Sequence, residues 1–256
     1  MQRFLVLGVF VGLLAQAQER AAVNKYSLEK ERALGEELAS QVRSQSTVID
    51  DAGINAYVAQ LGQKLAAALP GSTVRYTFAV VDRNLGGSTS EPLALPGGYI
   101  FIPSSLLLAA RSESELAGML AHAMAHVEAR HGTRQATRAQ TDNLATVPLV
   151  FVSSPGAGDA SLLPAGLRNA QREFEKEADQ IAVAILARTG YDPEALANYI
   201  ARAQYDAAAA SALPPRDERV AAIRAAIQQG PQSDFSNMQN ALHRLMPAAN
   251  APSLVK

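Results

Sequence analysis

The sequence predicts an α+β fold, mainly helical, with a small sheet early in the chain and a histidine-bearing helix near the middle. Three observations predict it. Val74 to Val81 is dense in β-branched and aromatic residues, and two shorter runs of the same kind follow it. On both sides of these runs, apolar residues recur at helical spacing. The 256 residues suffice for one substantial core, and no repeat or compositional break marks a second domain. The expected boundaries are a signal peptide over 1–17 and a single domain over 27–247.

The signal reading rests on Arg3 as a positive leader, Phe4 to Leu14 as an apolar stretch, and Ala15-Gln16-Ala17 as a small-x-small cleavage site. The apolar run is short for a membrane span; an N-terminal anchor or a buried strand are the alternatives. The signal implies a bacterial periplasmic or secreted protein. The chain has no cysteine. That excludes disulfides, a lipidated mature N-terminal cysteine and any thiolate metal site. A formal net charge of −1 gives no reason to expect nucleic-acid binding.

The elements follow in order. Ser27 to about Val42 is a helix, with Leu28, Leu34, Leu38 and Val42 near helical spacing and Gly35 weakening it slightly. A second helix runs from about Ile49 to Leu69 and ends at Pro70-Gly71. Val74 to Val81 is a strand, and Asn84 to Ser90 a loop. Leu93 to Leu95 and Tyr99 to Ile102 are short strands either side of Pro96-Gly97-Gly98, a tight hairpin or bulged turn. Helix resumes after Pro103. Ser112 is a candidate N-cap with Glu115 as its capping-box partner, and that helix should run to His131, where Gly132 stops it. Residues 141–166, rich in Pro and Gly around Leu149 to Val152, read as a long loop suited to a lid. Later helices are expected over Leu167 to Arg188, from Pro193 to Ala210, over Arg219 to Ile227, and over Phe235 to Leu245.

Three of the four histidines lie within ten residues: His122, His126 and His131. His122 and His126 are four apart on a helix, so they project from one face a turn apart and can share a tetrahedral metal ion. Two hydrogen-bonded core histidines satisfy the same spacing. A third ligand must come from elsewhere. In the helix beginning near Leu167, Phe174, Ala178, Ile181, Ala182 and Ile185 define the apolar arc. Glu175 falls inside that arc, whereas Glu173 and Glu177 fall outside it and should be solvated. A carboxylate on a buried face is costly unless paired or metal-bound, which makes Glu175 the best third ligand. Asp179 is one turn further, placed either to hold the far nitrogen of a ligand histidine or to form a helix-edge ion pair. His243 reads as surface.

These segments resemble the M48 family of zinc metallopeptidases. Ala121 to His131 is similar to that family's H-E-x-x-H helix with its V-x-x-R-H tail. Arg172 to Asp179 is similar to its R-x-x-E-x-x-A-D motif, and Leu95-Pro96-Gly97-Gly98-Tyr99 to the A-L-P-G-G turn before the metal helix. The resemblance covers about residues 30–225. It implies a zincin-like fold with one Zn2+ per chain, ligands His122, His126 and Glu175, and supporting residues Asp179, His131 and Arg172. It implies hydrolysis of peptide bonds in unfolded or misfolded envelope proteins, with an extended substrate pairing along a strand around Leu95, Gly97, Gly98 and Tyr99.

Two departures qualify that expectation. The general base of this chemistry is the helix glutamate, which takes a proton from the attacking water and passes it to the leaving amine. Its position is Ala123, which can do neither. Glu128 lies a turn and a half further on and is no substitute. Loss of general acid–base transfer alone is worth ~10²–10⁴-fold, so the chain as written is expected to be strongly impaired. The intact remainder of the motif favours engineering or recent loss over long decay. In addition, Leu213 occupies the histidine position of the family's His-Pro segment. The alternative is a naturally inactive relative that binds zinc and an envelope protein partner or substrate.

Overall fold

In a computed structural model, the described residues are 24–69, 71–82, 91–141, 165–204 and 213–229. The expected signal peptide, the Asn84 to Ser90 loop, the 142–164 part of the expected lid, the Phe235 to Leu245 helix and His243 lie outside them.

Helix α1 (Leu28–Gln45) begins at Ser27, whose side chain accepts from the Lys30 N–H. Helix α2 (Ala52–Ala66) begins at Asp51, which accepts from the Ile54 N–H at 2.8 Å. It is shorter than expected at both ends. Ile49 is extended and donates its N–H to Val80 O at 2.8 Å, and the chain turns after Ala66. Strand β1 (Thr77–Val81) also starts later than expected. Strands β2 (Leu93–Leu95) and β3 (Tyr99–Pro103) are antiparallel, with Leu95 opposite Tyr99, and β1 runs parallel to β3. The sheet order is β1-β3-β2.

The turn between β2 and β3 is the 3-10 turn Pro96–Gly98. Gly97 and Gly98 have φ of 80° and 99°, a region that favours glycine. A Cβ on Gly98 would also stand 2.7 Å from Arg75 O. Gly35 has a packing reason: a Cβ there would meet Pro96 O at 1.7 Å, so α1 lies directly against the turn.

The strands alternate in which side they bury. Val80, Ala94, Ile100 and Ile102 join the main core with α2 and the central helix. Val81, Leu93, Leu95 and Phe101 form a second cluster with Ala39 and Leu38 of α1. A sheet covered on both faces has no polar face, so its strands read as continuous apolar runs.

After the short α3 (Ser104–Ala109) comes α4 (Glu113–Glu128), the hub of the fold. Every residue from Glu115 to Val127 is buried. It packs most extensively on α6 (Ala165–Thr189), and also on α7 (Glu194–Ala203), α2 and β2. Fully burying each of Met119, Leu120 and Met124 contributes about 1.5–3 kcal/mol. Ser112 caps α4 through the Glu115 N–H at 3.2 Å. Glu115 does not close the expected capping box; its carboxylate accepts from the Arg111 N–H at 2.7 Å and pairs with Arg202 at 2.5 Å.

Gly132 does not stop the helix. The break is at Arg130, with φ 56°, and a new helix, α5 (His131–Thr141), runs straight through Gly132. Helix α7 ends at Ala203 instead of continuing to Ala210, because Gln204 is extended. The last described helix, α8, spans 216–229. Among the described residues, no helix is long and apolar enough to cross a membrane.

Candidate metal centre

His122 and His126 point inward from α4, and Glu175 meets them from α6. One ligand atom from each lies within 4.8 Å of the others. Nε2 of His122 and Nε2 of His126 are 3.0 Å apart, and Glu175 Oε2 is 3.3 Å and 3.7 Å from them. All three are buried, Glu175 completely. Neither oxygen of Glu175 has a hydrogen-bond partner. A carboxylate in such a place is strongly unfavourable unless cationic groups meet it, and Arg219 Nη2 stands 3.7 Å from Oε2.

The far side of each imidazole is held. Asp179 Oδ1 lies 2.9 Å from His122 Nδ1, and His131 Nδ1 lies 3.0 Å from His126 Nδ1. Each ring is thereby oriented with Nε2 toward the common point. His131 reaches His126 because of the break at Arg130. The left-handed residue turns the chain, and α5 restarts with His131 stacked on Phe174 at 4.5 Å. Arg130 is held there by Glu31 (Nε to Oε1, 2.8 Å) and by the carbonyl of Tyr26. Glu177, expected to be solvated, is half-buried, 3.2 Å from His131 Nε2 and 3.1 Å from Arg134 Nη1.

The sequence reading did not count Arg219 among the site residues, although the segment similar to the family's His-Pro segment carries a downstream arginine. Arg219 is fully buried, and its guanidinium meets four side chains distant in sequence from it and from one another. Nε and Nη2 make a fork to Asp179 at 2.7 Å and 3.0 Å. Nη1 bonds Gln204 at 3.0 Å and Glu91 at 3.3 Å, and Nη2 lies 3.3 Å from His122 Nε2. Arg219 stands on the solvated-looking start of α8, where an arginine reads as surface; its burial depends on contacts distant in sequence. Arg172, expected beside the ligands, is half-buried, and its positive charge adds to that of Lys176 in lowering the Glu218 carboxyl.

The electrostatics among the protein groups favour a cation. Burial disfavours a charged His122, yet Asp179 and Glu175 outweigh it and raise the ring to about 9. His126 is pushed down to about 4 by burial, against the pull of Glu175. Glu175 stays well below the usual carboxylate range despite burial, held there by His126 and His122. Among the described residues, Glu175 and Asp179 are the buried carboxylates that meet these rings; once both imidazoles are neutral, as metal ligation requires, the Arg219 guanidinium offsets only part of their charge, and the remainder suits a cation. Two imidazole nitrogens and a carboxylate oxygen are the donor set that suits zinc.

Ala123 is buried in α4, beside His122. Glu128 is engaged elsewhere, accepting from Tyr76 at 2.6 Å and from Ser72 at 2.5 Å. Leu213 is buried as an ordinary apolar side chain. Leu95 and Gly98 are buried, while Gly97 and Tyr99 are half-buried. Ala94, Leu95 and Pro96 border a small cavity with His126, Val127 and Arg130. Among the described residues, no strand pairs with the outer edge of β2.

Residues 52–227 match the sequence profile of peptidase family M48. The chain belongs to the M48 peptidase family. Its M48 relatives include a putative beta-barrel assembly-enhancing protease of Vibrio cholerae, 32% identical over 74% of this chain and 41% of that protein. A beta-barrel assembly-enhancing protease of Escherichia coli K12 is 28% identical over 76% of this chain and 42% of its own length. A mitochondrial metalloendopeptidase of Saccharomyces cerevisiae, OMA1, is 37% identical over 41% of this chain and 32% of that protein. The chain thus spans about two fifths of the length of the bacterial M48 relatives it matches.

Proposed function

We propose that this chain is the scaffold of a zinc metalloendopeptidase acting on unfolded or misfolded proteins of the bacterial envelope, silenced at residue 123. The observation that carries the reading is the buried carboxylate of Glu175, without a hydrogen-bond partner, facing two oriented imidazoles. His122, His126 and Glu175 would hold one Zn2+, which supplies Lewis-acid polarisation of a carbonyl when bound. Asp179 and His131 keep the two imidazoles in the tautomer that presents Nε2. An extended peptide would pair along the outer edge of β2, which no described strand occupies, a mode that reads little side-chain identity and suits unfolded chains. Ala123 has no group to take a proton from the attacking water or return it to the amine. The relatives' names support an envelope role, and the signal-like residues 1–17 support a periplasmic or secreted location.

A second reading is favoured by Ala123 itself: a natural member that binds zinc and a polypeptide partner without cleaving it. One experiment separates the two. Casein hydrolysis is compared between the zinc-loaded chain and Ala123→Glu, with and without a chelator. The first reading expects at least ~10²-fold more hydrolysis by the glutamate form, abolished by the chelator. Equal, negligible hydrolysis by both zinc-loaded proteins sinks it and leaves the binding role.

A further inference from the structure

Asn24, Lys25 and Tyr26 precede α1 and lie along α5. Asn24 Nδ2 donates to Thr133 Oγ1 at 2.8 Å, the Lys25 N–H to Thr137 Oγ1 at 3.1 Å, and Gln140 Nε2 to the Tyr26 hydroxyl at 2.8 Å. Arg130 completes the row by donating to the Tyr26 carbonyl. Arg130, Thr133, Thr137 and Gln140 follow one another at steps of three and four residues, so they form one polar stripe that runs from the α4–α5 junction along α5.

Glu31 of α1 stands at the head of that stripe. It is 5% exposed, and its Oε1 collects three donors: Arg130 Nε at 2.8 Å, Asn24 Nδ2 at 3.4 Å, and the Thr133 hydroxyl. A buried carboxylate is tolerated only where such donors meet it, and it fixes their positions in return. Arg130 directly precedes His131 and Thr133 follows it by two residues, so Glu31 grips the chain on both sides of that ring. The ring in turn meets His126 Nδ1 at 3.0 Å. Local preference opposes this meeting. On one straight helix, rings five residues apart stand about 140° apart around the axis. Only the left-handed Arg130, φ 56°, brings His131 back to His126. Glu31 and His126 also border one small cavity, together with Arg130 and Thr133.

We infer that Glu31 is a positioning residue for the metal centre: from α1 it grips Arg130 and Thr133 on either side of His131, holds that ring against Nδ1 of His126, and so fixes the direction in which His126 presents Nε2 to a divalent cation. The inference rests on the metal-site reading. It ties the first turn of α1, outside the metal-binding motifs, to one ligand ring and not to the other. His122 is held through Nδ1 by Asp179 and has no contact with Glu31 among those that define this grip.

The test uses the full chain. Zn2+ affinity is measured by competition with a chromophoric chelator. The ring N–H protons of the two imidazoles are followed by proton NMR of the Co2+-loaded protein, where the paramagnetic ion moves them clear of other signals. His122 is the internal reference. Glu31→Gln keeps the shape and removes the charge. The expected result is about a fivefold loss of Zn2+ affinity, less than the ~10–100-fold typical of groups that touch a ligand. The His126 N–H signal shifts and exchanges faster with water, while the His122 signal stays in place. Thr133→Val, which deletes one donor to Glu31, moves the same signal in the same direction by less. An unmoved His126 signal or a parent-like affinity in Glu31→Gln overturns the inference. Equal changes at both rings overturn it as well, because they report a general loosening that any structural residue produces. Should Glu31→Gln fail to fold, Thr133→Val is judged by the same two readouts. If the parent binds neither ion, the metal-site reading fails and the inference falls with it, an outcome the parent alone reveals.

Discussion

A buried carboxylate decides the chemistry at the scale of single residues. Glu175 has no hydrogen-bond donor and no water-exposed surface. Metal-free, His126 and His122 hold its charge; with a cation, it would be a ligand. Glu175→Gln should therefore lower Zn2+ affinity by at least ~100-fold, the upper end of what even outer groups contribute. The same substitution should lower the metal-free melting temperature, because a carboxyl held below its ordinary range contributes stability that the amide does not. Calorimetric titration with Zn2+ and melting of the metal-free protein check the two halves. An unchanged affinity would remove Glu175 from the ligand set. Ala123 fits a helix that is buried all round, and its methyl side chain carries no group that could transfer a proton.

At the scale of elements, the junction between α4 and α5 carries the placement of His131. Arg130 adopts φ 56°, which costs an L-residue ~1–2 kcal/mol. Its ion pair with buried Glu31 and its bond to Tyr26 O offset that cost. Arg130→Ala keeps the backbone strain and leaves Glu31 without its cation, so urea unfolding should show a loss of about 2 kcal/mol. Arg130→Gly loses the same pair but relieves the backbone. It should be the milder change by about 1 kcal/mol. The reverse ranking would mean that the junction is not strained. The β2–β3 turn depends on close approach instead. Gly35 and Gly98 let α1, the turn and the strand before β1 meet without side chains between them.

At the scale of the whole molecule, metal binding and folding are linked by mass action. Free Zn2+ at 100 times its dissociation constant adds about 2.7 kcal/mol to stability. For a chain of this size that raises the melting temperature by roughly 5–10 °C, at about 2–4 °C per kcal/mol. A chelator reverses it, and calorimetry with and without Zn2+ measures it; no shift would mean that the folded protein does not prefer the ion. Alkaline pH probes a different tie. Tyr57 of α2 and Tyr191, beyond α6, both bond Glu113 of α4, at 2.9 Å and 2.6 Å. Burial, and then these bonds, push both phenols up to about 12 from an ordinary 10. A folded-state value raised above the unfolded one contributes stability below pH 10, and that contribution is lost as pH rises through 12. Melting temperature should therefore fall more steeply over that interval for this chain than for a Tyr57→Phe, Tyr191→Phe double variant. Parallel curves would contradict it.

Much was legible before any fold was known, where local rules suffice. Helical spacing placed His122 and His126 on one face, and the apolar arc of α6 singled out Glu175 from its neighbouring carboxylates. Composition located the three strands and the turn, and the motifs carried the family. Tertiary structure decided the rest. Gly132 reads as a helix stop, yet the chain breaks at Arg130 because Glu31, distant in sequence, compensates its left-handed backbone. Glu177 reads as solvated, yet α5 brings His131 and Arg134 to it. Glu91 carries no local signal, and Arg219 carries only that of the downstream arginine in the His-Pro-like segment. An isolated arginine and an isolated glutamate are surface residues by default. Only the packing of α8, α6, α7 and the start of β2 around one point desolvates them together. Periodicity reports which way a side chain faces on its own element; which charges share a buried space is a property of how elements meet, and that is where this site's electrostatics were decided.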